Sequence, residues 1–279
     1  MFLSIKHRKQ LVLFYFLCFA VYYGWYWYHG ILLHQLKPVF FLNRLDLTAN
    51  IVLLTNLHHA IIDQPWLQIL FDALYFILPL ALYISCIRDY RIQYFLAVAT
   101  AVFNLVYAVM LSALSPLSIE GFTGWMLLPL LFAFKRGSSF YYMFHSLRYF
   151  FLLIFFSAAL WKFRAGGIFN EEQMSAILLK QHSAYLVGKP DDWFSSMIGY
   201  LVKHDKLSYL IYLLATLMEG VFIIGFFTRR YDRILILLFL TFVAFDYFLM
   251  RINYFSWTAF IGCLWYSRLT PDTGNTETL

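Results

Sequence analysis

The chain is dominated by runs of apolar residues, most of them close to the length that crosses a bilayer. Eight can be drawn, at residues 11–28, 66–87, 92–113, 122–134, 140–161, 207–227, 234–250 and 254–266. Lipid offers no partner to a backbone N–H or C=O, so runs of this length are read as spanning α-helices, whose backbone bonds are internal. The expectation is an all-α polytopic membrane bundle of seven or eight spans. The fourth and eighth runs are too short to cross upright, and are broken, re-entrant or screened by neighbours. With no internal repeat and no linker, residues 1–279 read as a single domain.

Composition agrees: 62% of the residues are hydrophobic and only 13% charged, against about half and a quarter in soluble domains. The 31 Phe and 21 Tyr suit headgroup belts and apolar pockets. A net charge of +6 could suggest nucleic acid, but the basic residues flank apolar runs. The positive-inside rule accounts for them and removes nucleic acid as a partner, leaving the lipid bilayer. Lys6, Arg8, Lys9, Arg88, Arg91, Lys135, Arg136, Arg229, Arg230, Arg233 and Arg268 fall on one side, with Lys37, Arg44 and Arg251 on the other. Both termini are therefore expected in the cytoplasm, with the chain in the inner (plasma) membrane. The first run is too long and aromatic for a signal peptide and reads as a retained helix. Cys18, Cys86 and Cys263 lie inside apolar runs without CxxC spacing, which predicts neither a disulfide framework nor a metal site.

The polar stretch after Lys162 has a pattern of its own. Asn170 followed by Glu171, Glu172 and Gln173 reads as an N-cap with a capping-box partner. Met174, Ile177, Leu178 and Tyr185 then recur at helical spacing. A turn at Gly188, Lys189, Pro190 and Asp191 leads to a second stripe of Trp193, Phe194, Met197, Ile198 and Leu201. Two interfacial amphipathic helices on the outer face are expected, forming a lid. Ile51, Leu54, Leu57 and Ile61 suggest a similar helix in the first outer loop.

Ionisable groups at membrane depth face the protein interior and mark function or a structural pair. Arg148 and Glu219 each lie about 12 Å from the inner ends of their runs, counting about 1.5 Å per residue, and are expected to form a structural ion pair. Asp72 and Asp246 lie about 6–9 Å below the outer surface by the same count. Together with Lys162, His182 and Arg251 they can form an outer cluster. Lys162 itself has two readings. It is an anchor whose charge snorkels to water, or a base in a sheltered pocket. Adjacent His58 and His59 point about 100° apart on a helix and make a poor metal site. Hydrolase, protease and nucleotide motifs are absent.

The stretch Phe155-Phe156-Ser157-Ala158-Ala159-Leu160-Trp161-Lys162-Phe163 resembles the HTTM superfamily, the membrane domain shared with vitamin K-dependent gamma-carboxylase. Leu217-Met218-Glu219-Gly220 with Gly225 and Thr228-Arg229-Arg230, and Tyr254-Phe255-Ser256-Trp257, resemble later motifs of that family. The resemblance covers about residues 140–268. DoxX-like membrane proteins, thought to act near quinones, match less well. By this resemblance Lys162 is a catalytic base toward a lipid-soluble quinol and His182 belongs with it, while Asp72, Asp246 and Arg251, placed near them by depth along their runs, are expected to line the substrate pocket. Asp246 stands where the carboxylase has a histidine, and residues 118–125 lack the histidine of its earlier segment. The chain ends at Leu279 without the carboxylase's large extramembrane domain, so glutamate carboxylation is not expected. Two functions follow: an enzyme-like membrane domain acting on a quinol or similar apolar substrate, with quinone or quinol as its cofactor, or a non-catalytic membrane partner that docks another protein or lipid through its lid.

Overall fold

The computed structural model describes residues 5–36, 54–114 and 119–269, and every regular element among them is helical. Among the described residues, six helices are long and apolar enough to cross a membrane by length and composition. In chain order the helices are α1 (Ile5–Tyr28), α2 (Leu57–Asp63), α3 (Pro65–Ile87), α4 (Gln93–Leu114), α5 (Thr123–Leu127), α6 (Gly137–Arg164), α7 (Gln173–Gly188), α8 (Trp193–Lys203), α9 (Asp205–Gly220), α10 (Ile224–Phe227), α11 (Asp232–Met250) and α12 (Ile261–Trp265). The two runs too short to cross upright are continuous helical segments, Ile119–Ala133 and Phe255–Trp265. Each joins a short α-helix to 3₁₀ turns. A 3₁₀ turn rises about 2.0 Å per residue against about 1.5 Å in an α-helix, so Ile119–Ala133 reaches about 28 Å.

The chain divides into two compact units, one of residues 1–147 with 254–279, the other Arg148–Asn253. In the first, α3 packs against α1 and α4, and the two broken segments lie against each other. Its centre is aromatic: the rings of Tyr75 and Tyr107 stack at 3.8 Å, and Trp125 meets Tyr22 and Phe19 at 5.2 and 5.5 Å. Pro129 explains why the segment around Trp125 is irregular. It has no N–H to give the carbonyl four residues back, that of Trp125. Asn104 Nδ2 donates to that oxygen at 2.7 Å and Tyr15 adds a longer bond at 3.4 Å. Gly124 is held by sterics, because a Cβ there would run into the Ser256 carbonyl.

In the second unit α7, α8 and α9 pack on one another, and α9 also packs on α11. The stripe positions read from the sequence are the ones that meet: Met174, Leu178, Phe194, Ile198 and Leu201 are buried together with Tyr212 and Leu249, while Ile177, Tyr185 and Met197 pack at their edge. Trp193 is exposed. The start of α7 differs from the expected one. The helix begins at Gln173, and Asn170 forms a tight turn before it, its Oδ1 accepting the Glu172 N–H at 3.1 Å. The true side-chain cap is at α8, where Asp192 accepts the Phe194 N–H at 3.3 Å and the Tyr185 hydroxyl at 2.6 Å. That hydroxyl holds the Asp192 carboxyl below its usual range. In the first loop, Ile61 is buried and Leu54 exposed, whereas Ile51, Lys37 and Arg44 lie outside the described residues, as does the side chain of Leu57.

Candidate functional site

Lys162 sits in the last turn of α6, and its ammonium donates to both oxygens of Glu219 at 2.8 Å. Glu219 is buried, and Lys162 keeps about a quarter of its side chain exposed. The Tyr212 ring lies under the ammonium, 5.5 Å from its centroid. Asp246 on α11 is within electrostatic reach of both charges, attracted by Lys162 and repelled by Glu219. One of its oxygens, Oδ2, is buried without a hydrogen-bond partner.

The expected Arg148–Glu219 pair is therefore corrected. Arg148 is fully buried and forms a forked pair with Asp232, Nε to Oδ2 at 2.8 Å and Nη2 to Oδ1 at 2.6 Å. Its Nη2 also donates to the Gly225 carbonyl at 2.8 Å. Such fork-to-fork pairing is the strongest geometry open to arginine. The physical reason lies in the register of α6 against the chain of 205–227. A Cβ on Gly220 would touch Ala159 at 3.8 Å, and one on Gly225 would clash with Leu152 at 2.6 Å. Two glycines thus seat this segment against α6, as small residues do between membrane helices. In that register Lys162 is brought to Glu219, and Arg148, one turn before Leu152, is brought to Gly225. Counting depth at one uniform rise also failed because 221–223 is a 3₁₀ turn. Asp232 was missed because it lies in a basic turn, outside the apolar runs. A lone acid among Arg229, Arg230 and Arg233 was the available signal.

His182 is placed elsewhere than expected. Its Nε2 donates to the Leu249 carbonyl at 2.9 Å, and Gln181 Nε2 donates to the next carbonyl, that of Met250, at 3.3 Å. The last carbonyls of a helix lack intrahelical donors, and side chains of α7 supply them here. Burial pushes the His182 imidazole below its usual range, and the Arg251 cation acts in the same direction. Arg251 ends α11 in the left-handed conformation, φ 57°, with its guanidinium 4.3 Å from the Phe194 centroid. His182 and Arg251 thus close the end of α11, and among the described residues no hydrogen bond joins His182 to Lys162.

Asp72 belongs to the first unit and is saturated there. It accepts the backbone N–H groups of Leu33 and His34 at 3.1 and 3.0 Å. It also takes the Tyr107 hydroxyl at 2.6 Å and pairs with His34 Nδ1 at 2.5 Å. Of the five residues expected to cluster, Lys162 and Asp246 are brought together, with Glu219 as the member the sequence reading assigned elsewhere. What remains is one ammonium paired with the Glu219 carboxylate, with Asp246 within electrostatic reach and the Tyr212 ring against the ammonium. Such a set can hold a charge, move a proton between Nζ and Oε, or accept a hydrogen bond at Asp246. Comparison with family models, curated proteins and solved structures finds no match to this chain.

Proposed function

We propose that the chain is an HTTM-like multi-pass membrane protein that handles a proton on a lipid-soluble quinol or similar apolar substrate, with Lys162 as the base. The observation carrying this reading is the Lys162–Glu219 contact, 2.8 Å to each oxygen, at the residue where the family resemblance puts a base. A lysine that acts as base must first lose its proton, and Glu219 is the acceptor in place. Transfer of the proton from Nζ to Oε turns the ion pair into a neutral pair without changing its net charge. The free amine then takes the proton of a substrate hydroxyl, leaving the substrate's oxyanion beside a renewed ammonium. In this reading both termini are cytoplasmic in the plasma membrane, because the short segments flanking the spans on that side carry most of the arginines and lysines. Segments Ile119–Ala133 and Phe255–Trp265 complete eight crossings, and α7 and α8 lie on the outer face as the lid over the site.

A second reading, a non-catalytic membrane partner, draws on the large apolar side chains exposed on and beside those helices: Phe169, Val187 and Trp193 are 72, 83 and 58% exposed. Substituting Lys162→Arg separates the two. Arginine keeps the cation and its contact with Glu219 but does not give up a proton. Loss of complementation in cells lacking the gene, at matched expression, is the outcome expected for a base. Full complementation by arginine removes the base and leaves the docking protein.

A further inference from the structure

We infer that the turn joining α10 to α11, residues 228–233, is a docking surface for anionic phospholipid headgroups. Arg229, Arg230 and Arg233 are its cations, and Arg148 is the buried clasp that presents them.

Place comes first. The turn joins Asp205–Phe227 to Asp232–Met250, each long and apolar enough to cross a membrane. A turn between two such stretches falls where the bilayer meets water, within reach of lipid phosphates. Its chain reads Thr228-Arg229-Arg230-Tyr231-Asp232-Arg233, and Asp232 is the only acid from residue 220 to residue 245. Asp232 is buried and held by the Arg148 fork at 2.6 and 2.8 Å. Its charge is met from another helix, so the turn keeps the charge of its own three arginines. The same Arg148 Nη2 donates to the Gly225 carbonyl at 2.8 Å, so one side chain fastens both sides of the turn. Inside it, the Arg230 N–H donates to Thr228 Oγ1 at 3.1 Å, and the Asp232 N–H to the Arg229 carbonyl at 3.4 Å. A backbone already fixed loses little further freedom when a ligand binds. Arg230 and Arg233 are exposed, as are Phe227, Tyr231 and Ile234 beside them. Guanidinium forks match phosphate oxygens, and the apolar neighbours match the acyl chains beneath. A zwitterionic lipid brings an ammonium that the same arginines repel. The favoured class is a phospholipid of net negative charge.

Native mass spectrometry of the purified full chain tests this, in micelles doped with equal amounts of dioleoylphosphatidylglycerol and dioleoylphosphatidylcholine. Each arginine near an anionic surface is worth about fivefold in affinity, so wild type is expected to prefer phosphatidylglycerol by about tenfold or more. Added salt weakens that preference, because the exposed charges are screened. Arg230→Gln and Arg233→Gln each lower it by about threefold to fivefold, and with Arg229→Gln added the two lipids come within about twofold. The single variants leave the Arg148–Asp232 fork intact and give the answer on folded protein whatever the stability of the triple. A control variant carries Lys180→Gln, Lys189→Gln and Lys203→Gln. It removes the same charge from exposed positions in residues 173–203 and is expected to keep the preference. Equal binding of the two lipids by wild type, a preference untouched in both single variants, or an equal loss in the lysine variant overturns the inference.

Discussion

Asp72 in the first unit and Asp246 in the second are both aspartates on apolar helices, yet one accepts four hydrogen bonds while the other leaves an oxygen empty. Two further carboxylates fill the interval between them. Asp232 is locked by a forked arginine, and Glu219 shares its charge with a partly exposed lysine. The series runs from closed to open. A closed carboxylate holds structure, because each of its lone pairs is a tether between elements. Asp72, for example, ties the 33–35 turn and α4 to α3. An open one contributes no such tether and is retained at a desolvation cost. The difference separates scaffold from site without any appeal to which residues look catalytic.

The closed end of the series should break hardest. Asp232→Asn leaves the fully buried Arg148 charge without its counter-ion, at a cost of about 3–5 kcal/mol, visible as loss of folded protein in thermal unfolding in detergent. Arg148→Met combined with Asp232→Leu should recover much of that loss. Glu219→Gln should leave Arg148 untouched and add its effect independently. If Glu219→Gln instead couples to Arg148→Met in a double-mutant cycle, the pairing described here is wrong.

Asp72→Asn is the next test. The amide keeps one oxygen for the N–H groups but turns its other edge into a donor facing His34 and the Tyr107 hydroxyl. The expected loss is about 1–3 kcal/mol, less than for Asp232, because the His34 side chain is about one third exposed. A loss as small as that of a surface substitution would place Asp72 with Asp246 and dissolve the contrast.

These residues also mark how far the sequence could be read. Helices follow from apolar length and from the backbone's need for internal partners, so six of the eight runs coincide with helices of membrane length. The amphipathic stripes of α7 and α8 were legible for the same reason: periodicity states which side is buried. Pairing was not legible, because it depends on register between elements. Depth counted from the ends of apolar runs assumed straight, equal helices. The register is instead seated by Gly220 against Ala159 and by Gly225 against Leu152, and the 3₁₀ turn between those glycines changes the count. A histidine twenty residues after Lys162 invites a chemical reading. Its capping of α11 needed the position of Leu249, which spacing along the chain does not carry.

His182 supplies a smaller and pH-dependent test. Its proton affinity is lower in the folded protein than in the unfolded chain. Stability is therefore complete above the ordinary histidine range, about 6.5, and falls as pH drops below it, because the unfolded chain takes up the proton more readily. His182→Ala should cost about 1 kcal/mol for the lost cap and flatten that dependence. His182→Gln, which retains an N–H donor toward Leu249, should restore part of the stability and stay flat between pH 7.5 and 5.5. Melting temperatures of the three proteins at both values decide it. A wild type insensitive to pH would remove burial of the neutral ring as the cause.

The smallest effect is expected at the open end. Asp246→Leu removes a carboxyl with an unmet buried oxygen and puts apolar volume in its place. The variant gives up the attraction of Lys162 but also the repulsion of Glu219, and Lys162 keeps its contact with both Glu219 oxygens. Replacing a poorly compensated buried charge by a hydrophobe is commonly neutral or stabilising. The expected change is within about 0.5 kcal/mol, the range of a substitution that touches no structural feature, or a gain. Thermal unfolding of wild type, Asp246→Leu and Asp72→Asn side by side gives the contrast directly. A loss of more than about 2 kcal/mol at Asp246, on the scale of a broken buried network, would make it a tether like Asp72. The empty oxygen would then no longer distinguish a site from a scaffold.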